Sequence, residues 1–154
     1  MMHTKIFKIV LPEHLENIKK KIRKSYKRSE KADNLARKAN SWIQYGLSFE
    51  YPFIFKGSSF EKKVYSHVTK IPKGKVASYK QVAEALNSKA YRAVGNAMKK
   101  NDVPLLIPCH RVVRTDGKLG NYSGGTDLKE RILYKEGVEL ENGIIPPKYF
   151  VESL

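Results

Sequence analysis

Apolar and polar positions alternate along KIFKIV (5–10), a pattern that predicts a short strand. From Pro12 onward the period changes. Leu15, Ile18 and Ile22 recur at helical spacing, while Lys19, Lys20, Lys21, Arg23, Lys24, Lys27 and Arg28 cover the other faces. That basic surface reads either as a solvated face or as an auxiliary phosphate-contacting one. SWIQYGLSFEYPFIF (41–55) is aromatic and β-branched, punctuated by Gly46 and Pro52, and predicts a strand at the edge of a small first domain.

The pattern shifts near Gly57. Ser58 followed by Glu61 is a capping-box signature, and Phe60, Val64 and Val68 then repeat every fourth residue up to Pro72. Ser78 with Gln81 repeats the signature ahead of Val82 and Leu86. NSK (87–89) interrupts this second helix, and AYRAVGNAMKK (90–100) predicts a third, ended by Asn101 and Pro104. Two short helices this close suit a helix-turn-helix, although many helical hairpins share the pattern and bind nothing. Asp116-Gly117 predicts a tight hairpin turn, which after such a motif has the layout of a wing. TDLKERILYKEG (126–137) predicts a last helix, with Thr126 as its cap, Leu128 and Ile132 buried and Gly137 as its stop. The tail is turn-rich and apolar enough at its end to pack back on the body.

Composition narrows the partner. The chain has 154 residues and a net charge of +15, from 30 Lys+Arg against 15 Asp+Glu. Nucleic acid is the first polyanion to consider, with an anionic membrane surface as the rival. No apolar run reaches the ~18 residues of a membrane span, and no secretory leader is recognisable. A single cysteine asks for no oxidising compartment, so a cytoplasmic protein is expected.

The third predicted helix has an unusual surface. Ala90, Ala93, Gly95 and Ala97 are small, which permits either close packing on a neighbouring helix or close approach to a ligand. Arg92 in its first turn opposes the helix dipole and so needs another reason to be there.

Cys109 stands in LLIPCHRVV (105–113). A lone cysteine in an apolar context is most often a small buried hydrophobe. Three features favour a nucleophile instead. Pro108 fixes the chain before it, His110 is the side chain best suited to draw off a thiol proton, and Arg111 adds a field that favours thiolate. The remaining histidines, His3, His14 and His67, lack ligand spacing and no second thiol exists, so neither a metal site nor a redox pair is expected.

These residues carry a family resemblance. IPCHRVV resembles the active-site segment of the O6-alkylguanine-DNA alkyltransferases, the methylated-DNA–protein-cysteine methyltransferases. The likeness continues through SYKQVAEAL, KAYRAVGNAMKKNDVPLL, GKLGNYSGG and LKERILYKEG, nearly without gaps from about residue 58 to 137. It implies an α/β (α+β) fold in two parts. Residues 1–56 would form a shortened ribonuclease-H-like α/β domain. Residues 57–154 would form a mostly helical winged helix-turn-helix domain that binds DNA and accepts the alkyl group.

The implied reaction moves an alkyl group, typically methyl, from guanine O6 in double-stranded DNA to Cys109, once per molecule and without a cofactor. O4 of thymine stays open as a second target. The base would be turned out of the helix from the minor groove. The resemblance assigns Arg92 to fill the vacated place, and Tyr79 to crowd the phosphate and donate to guanine N3. It puts Ala93, Gly95, Ala97, Lys99 and Lys100 on the DNA-facing helix. His110 would act on Cys109 through a water, backed by Glu136, and Asn101 would join the DNA-facing helix to the active-site loop. Carbonyls near Cys109 and Val112 would hold the guanine amine. Tyr122, Ser123 and Gly124 would cover the pocket, and Lys129 would assist electrostatically. Two departures from many relatives lie on the DNA-facing helix: Asn96 stands where they have a second glycine, and Lys99-Lys100 where they have Arg-Gly. The zinc that some relatives hold through an N-terminal cysteine is not expected here. A monomer in solution is expected, with cooperative loading on DNA left open. The rival reading is a non-catalytic winged-helix protein that binds DNA or senses alkylation damage with an inert thiol.

Overall fold

The computed structural model describes Arg37, Phe55 and residues 57–102 and 104–154. The expected N-terminal α/β domain, its strands and the basic helix from Pro12 lie outside the described residues.

Within 57–154 the chain is mostly helical with one small sheet. Helix α1 (Ser59–Val68) opens on the capping box read from its sequence. Ser58 Oγ accepts from the Glu61 amide at 3.2 Å, and Glu61 Oε2 accepts from the Ser58 amide at 2.8 Å. The helix stops at Val68, before Pro72, and Val64, Tyr65 and Val68 form its buried stripe. Strand β1 (Ala77–Ser78) runs directly into α2 (Tyr79–Ala85), capped by Ser78 and Gln81 in the same reciprocal way. Asn87 takes a left-handed backbone (φ 52°) just past α2 and ends it. Helix α3 (Tyr91–Lys99) follows and packs on both α1 and α2.

A 3-10 turn, Cys109–Arg111, carries the thiol and leads into β2 (Val112–Val113). β2 pairs with β1 in parallel, Ala77 opposite Val112 and Ser78 opposite Val113. The sheet therefore joins the start of α2 to the residue after the thiol's turn. Last come α4 (Thr126–Lys135) and a 3-10 turn at Pro147–Tyr149.

Two apolar clusters flank this seam. One gathers Val64, Val68, Val82, Val94, Ala97, Ile107 and Cys109 from α1, α2, α3 and the thiol loop. The other gathers Val76, Val113, Leu119, Leu133, Val138 and Ile145. The tail packs back as expected: the Val76 amide donates to Tyr149 O, the Val151 amide donates to Val76 O, and Gln81 Nε2 donates to Val151 O at 2.8 Å.

Three expectations change in detail. The N-cap of α4 is Gly125, with Thr126 already inside the helix. The turn after β2 centres on Thr115–Asp116, because the Gly117 amide bonds back to Arg114 O, and Gly117 takes the left-handed position (φ 80°) as the fourth residue. A tight Asp-Gly centre would need a positive φ at Asp116, which it lacks. Ala97 is 1% exposed and belongs to the core, so it does not share the outer face of α3 with Gly95.

Candidate active site

The thiol sits at the floor of a cavity of about 470 Å³. That is within the range of pockets that take small organic ligands, roughly 300–1,000 Å³. Tyr79, Cys109, Tyr122 and the exposed Ser123 form one part of its lining. Its α3 side is Tyr91, Arg92, Gly95, Asn96, Met98 and Lys99, and its opposite lip is Arg114, Gly120 and Asn121. Tyr79 is brought in by the cap of α2, and Cys109 by the turn before β2, so the sheet seam fixes the two relative to each other.

The glycines around this site are constrained to different degrees. At Gly120 (φ 71°) a Cβ would stand 3.4 Å from the Tyr79 hydroxyl. At Gly124 it would collide with Leu128 at 2.7 Å. Gly95 differs: a Cβ there would meet only Tyr79 Cε1, at an ordinary 4.0 Å. The protein's own packing does not demand glycine on this face of α3.

Cys109 is 4% exposed. Burial pushes its thiol above the ordinary range, against the opposing pull of Asn101, Lys129 and Tyr122. The expectation of a resident thiolate favoured by Arg111 is therefore corrected. Arg111 spends its guanidinium on Glu136 and Ile71 O, so burial rather than its charge sets the thiol, which favours the protonated form. Asn101 is buried and donates from Nδ2 to Ile107 O at 2.9 Å, tying the end of α3 to the thiol loop.

His110 is completely buried, and its Nε2 lies 3.1 Å from Glu136 Oε1. Burial holds the imidazole below its ordinary value; Glu136 opposes that effect and Arg111 adds to it. Glu136 is the C-cap of α4, 7% exposed. Burial alone would raise its carboxyl, but hydrogen bonds from His110 and Arg111 outweigh this and hold it at about 2. Gly137 (φ 88°) closes α4 with the Gly137 amide on Tyr134 O and the Val138 amide on Leu133 O. This double closure fixes where Glu136 sits.

Lys129 is fully buried on α4 and donates to Val112 O and Leu119 O, both at 2.6 Å. Burial lowers its ammonium to about 8. It also lies 5.9 Å from the ring centres of both Tyr79 and Tyr122. Val112 and Lys129 thus stand behind the cavity wall, and the Val112 carbonyl already has a donor. Lys100 pairs with Glu61 at 2.6 Å, joining the end of α3 to the cap of α1. Ala93, Lys100 and Gly124 do not line the cavity. Tyr91, 52% exposed, and Arg114 do line it, and the sequence reading had missed both. A large exposed aromatic beside Arg92 was the available signal for Tyr91. Among the described residues no group of three or more His, Cys, Asp or Glu could hold a metal, and no helix is long and apolar enough to cross a membrane.

One nearly buried thiol lining a cavity of this size, followed in the chain by an imidazole paired with a carboxylate, defines a protein of the cysteine-nucleophile class. The family description "6-O-methylguanine DNA methyltransferase, DNA binding domain" matches residues 59–138, just over half of the chain, and the chain belongs to that family. The methylated-DNA–protein-cysteine methyltransferase of Rattus norvegicus is 51% identical over 88 residues, which cover 55% of this chain and 42% of that protein. The chain thus matches less than half the length of that relative. The crystal structure of Mycobacterium tuberculosis OGT in complex with DNA is similar with a TM-score of 0.64 at 31% identity, covering 68% of this chain and 66% of that one. Schizosaccharomyces pombe Atl1, solved in complex with damaged DNA containing O6-carboxymethylguanine, is similar with a TM-score of 0.56 at 31% identity, covering 64% of this chain and 99% of that one.

Proposed function

We propose that this protein repairs DNA by taking an alkyl group, methyl above all, from O6 of guanine onto Cys109, acting once per molecule. The observation that carries the reading is one nearly buried thiol lining a cavity, in the same turn as a buried histidine that is paired with Glu136. α2 and α3 would be the helix-turn-helix, and the turn at Arg114–Gly117 the tip of the wing. Residues 1–56 and 57–154 would be separate domains, the first of ribonuclease-H-like type. The protein would work as a cytoplasmic monomer without cofactor.

Gly95 supports a close approach of DNA to α3, since among the described residues nothing requires that residue to be so small. Arg92 is exposed at the start of the same helix and would fill the gap left by the extruded base. In the cavity the base would lie between Tyr79 and the loop of Tyr122 and Ser123. Burial keeps the Tyr79 hydroxyl protonated well above neutral pH, so it can donate to the purine as negative charge develops there.

Electron and proton accounting is simple. The Cys109 proton passes to His110 through a water. A sulfur lone pair forms the new S–C bond while the C–O6 bond breaks and leaves its electron pair on the purine. His110 returns the proton to the purine, which leaves as guanine. The thioether has no neighbouring group able to cleave it. Transfer from a duplex containing radiolabelled O6-methylguanine is therefore expected to plateau at one methyl per protein molecule, however long the incubation or large the DNA excess. Continued turnover, or binding with no transfer, would overturn this reading, and the second result would favour a damage sensor.

A further inference from the structure

Arg111 follows His110 directly, and all three of its guanidinium nitrogens are used. Nε donates to Glu136 Oε2 at 2.9 Å and Nη2 to Oε1 at 2.6 Å, a two-toothed pairing with one carboxylate. Nη1 donates to Ile71 O at 2.7 Å. Ile71 is 1% exposed, and its amide is held by Val68 O in the turn that ends α1. The fork is thus anchored on one side by α1 and on the other by the end of α4. Glu136 Oε1 accepts from Arg111 and His110 at once.

We propose that Arg111 is a positioning residue for the alkyl transfer: it fixes the Glu136 carboxylate against His110 and offsets its charge, so that the imidazole can serve as base. This rests on the transfer reading above. An ionised carboxylate only accepts hydrogen bonds, so the Nε2 facing Glu136 carries hydrogen and Nδ1 is the basic nitrogen. A buried carboxylate with no other cation would draw a proton onto that imidazole, and an imidazolium cannot take the thiol's proton. The charged groups acting on His110 are Glu136 at the C-cap of α4, Lys129 on α4, and Arg111 from its own turn. Lys129 spends its contacts on two carbonyls, which leaves Arg111 as the cation that touches Glu136. Lysine could supply the charge but not the planar fork.

The test is the pH dependence of the single-turnover rate on an O6-methylguanine duplex, together with the His110 titration followed by NMR. Arg111→Met is expected to raise the His110 midpoint, and the acid limb of the rate profile, by about one pH unit or more, with a loss of about tenfold or more at neutral pH. Arg111→Lys is expected to fall between it and the parent. In Arg111→Met/Glu136→Gln the acid limb should move back down, because no lone carboxylate remains. An equal loss at every pH with an unmoved His110 midpoint would overturn the proposal and leave Arg111 a structural brace. If Arg111→Met does not fold, the His110 midpoint of Arg111→Lys decides, an unchanged value being the negative result. If the parent protein transfers nothing, the transfer reading fails, while the NMR titration still measures whether Arg111 controls His110.

Discussion

Glu136 keeps its charge with 7% of its surface exposed because His110 and Arg111 both donate to it. Its folded value of about 2 lies below the ordinary 4.5, so its ionised form favours the fold. That contribution is complete above about pH 4.5 and is lost as pH falls towards 2. Glu136→Gln is expected to lose about 3 kcal/mol at neutral pH, since it leaves a nearly buried guanidinium without its anion. The gap between variant and parent should narrow steadily below pH 4.5, as read from urea unfolding across a pH series. A gap that does not change with pH would mean Glu136 is not the ionised partner. At this scale Cys109 and His110 were legible in one local motif, whereas Glu136, 26 positions from His110, came only through the family resemblance. The sequence reading misjudged Arg111, whose direction is set by Ile71 and Glu136, 40 and 25 positions away. The pairing of Lys100 with Glu61 was not legible either, since its partner is remote in sequence.

Helix ends were legible because their chemistry is confined to a few consecutive residues. Both capping boxes form as written, and Gly137 closes α4 in the left-handed conformation its position requires. A Cβ on Gly137 would meet nothing within 4 Å, so substitution there costs backbone strain alone. Gly137→Ala is expected to destabilise by about 1 kcal/mol in denaturant titration, and Gly137→Asn by less, since asparagine tolerates that backbone. Equal losses for both would show that the conformation is not what glycine supplies. The facing of α3 was less legible. Small residues on a helix mark both packing and ligand faces, and only the fold separates core Ala97 from Gly95 on the cavity. The cap of α4 was displaced by one residue because Gly125 can take the positive-φ backbone (φ 89°) that precedes the helix, and no side chain caps it.

Across the whole molecule the +15 charge and the cavity point the same way. Arg92, Lys99 and Arg114 stand around the opening, while the thiol and its network lie beneath it. On the proposed reading, phosphate contact would fall to these cations and the chemistry to the thiol. The β1–β2 seam connects them, since one strand leads into Tyr79 and the other leaves from the thiol's turn. The most direct measurement is the intact mass of the full chain after incubation with a duplex containing O6-methylguanine, followed by peptide mapping. The account predicts a gain of one methyl group, located on Cys109 and missing in Cys109→Ser, with unmodified guanine recovered in the DNA. A methyl group mapped to any other residue, or an unchanged mass in protein that remains bound to the lesion, would contradict it.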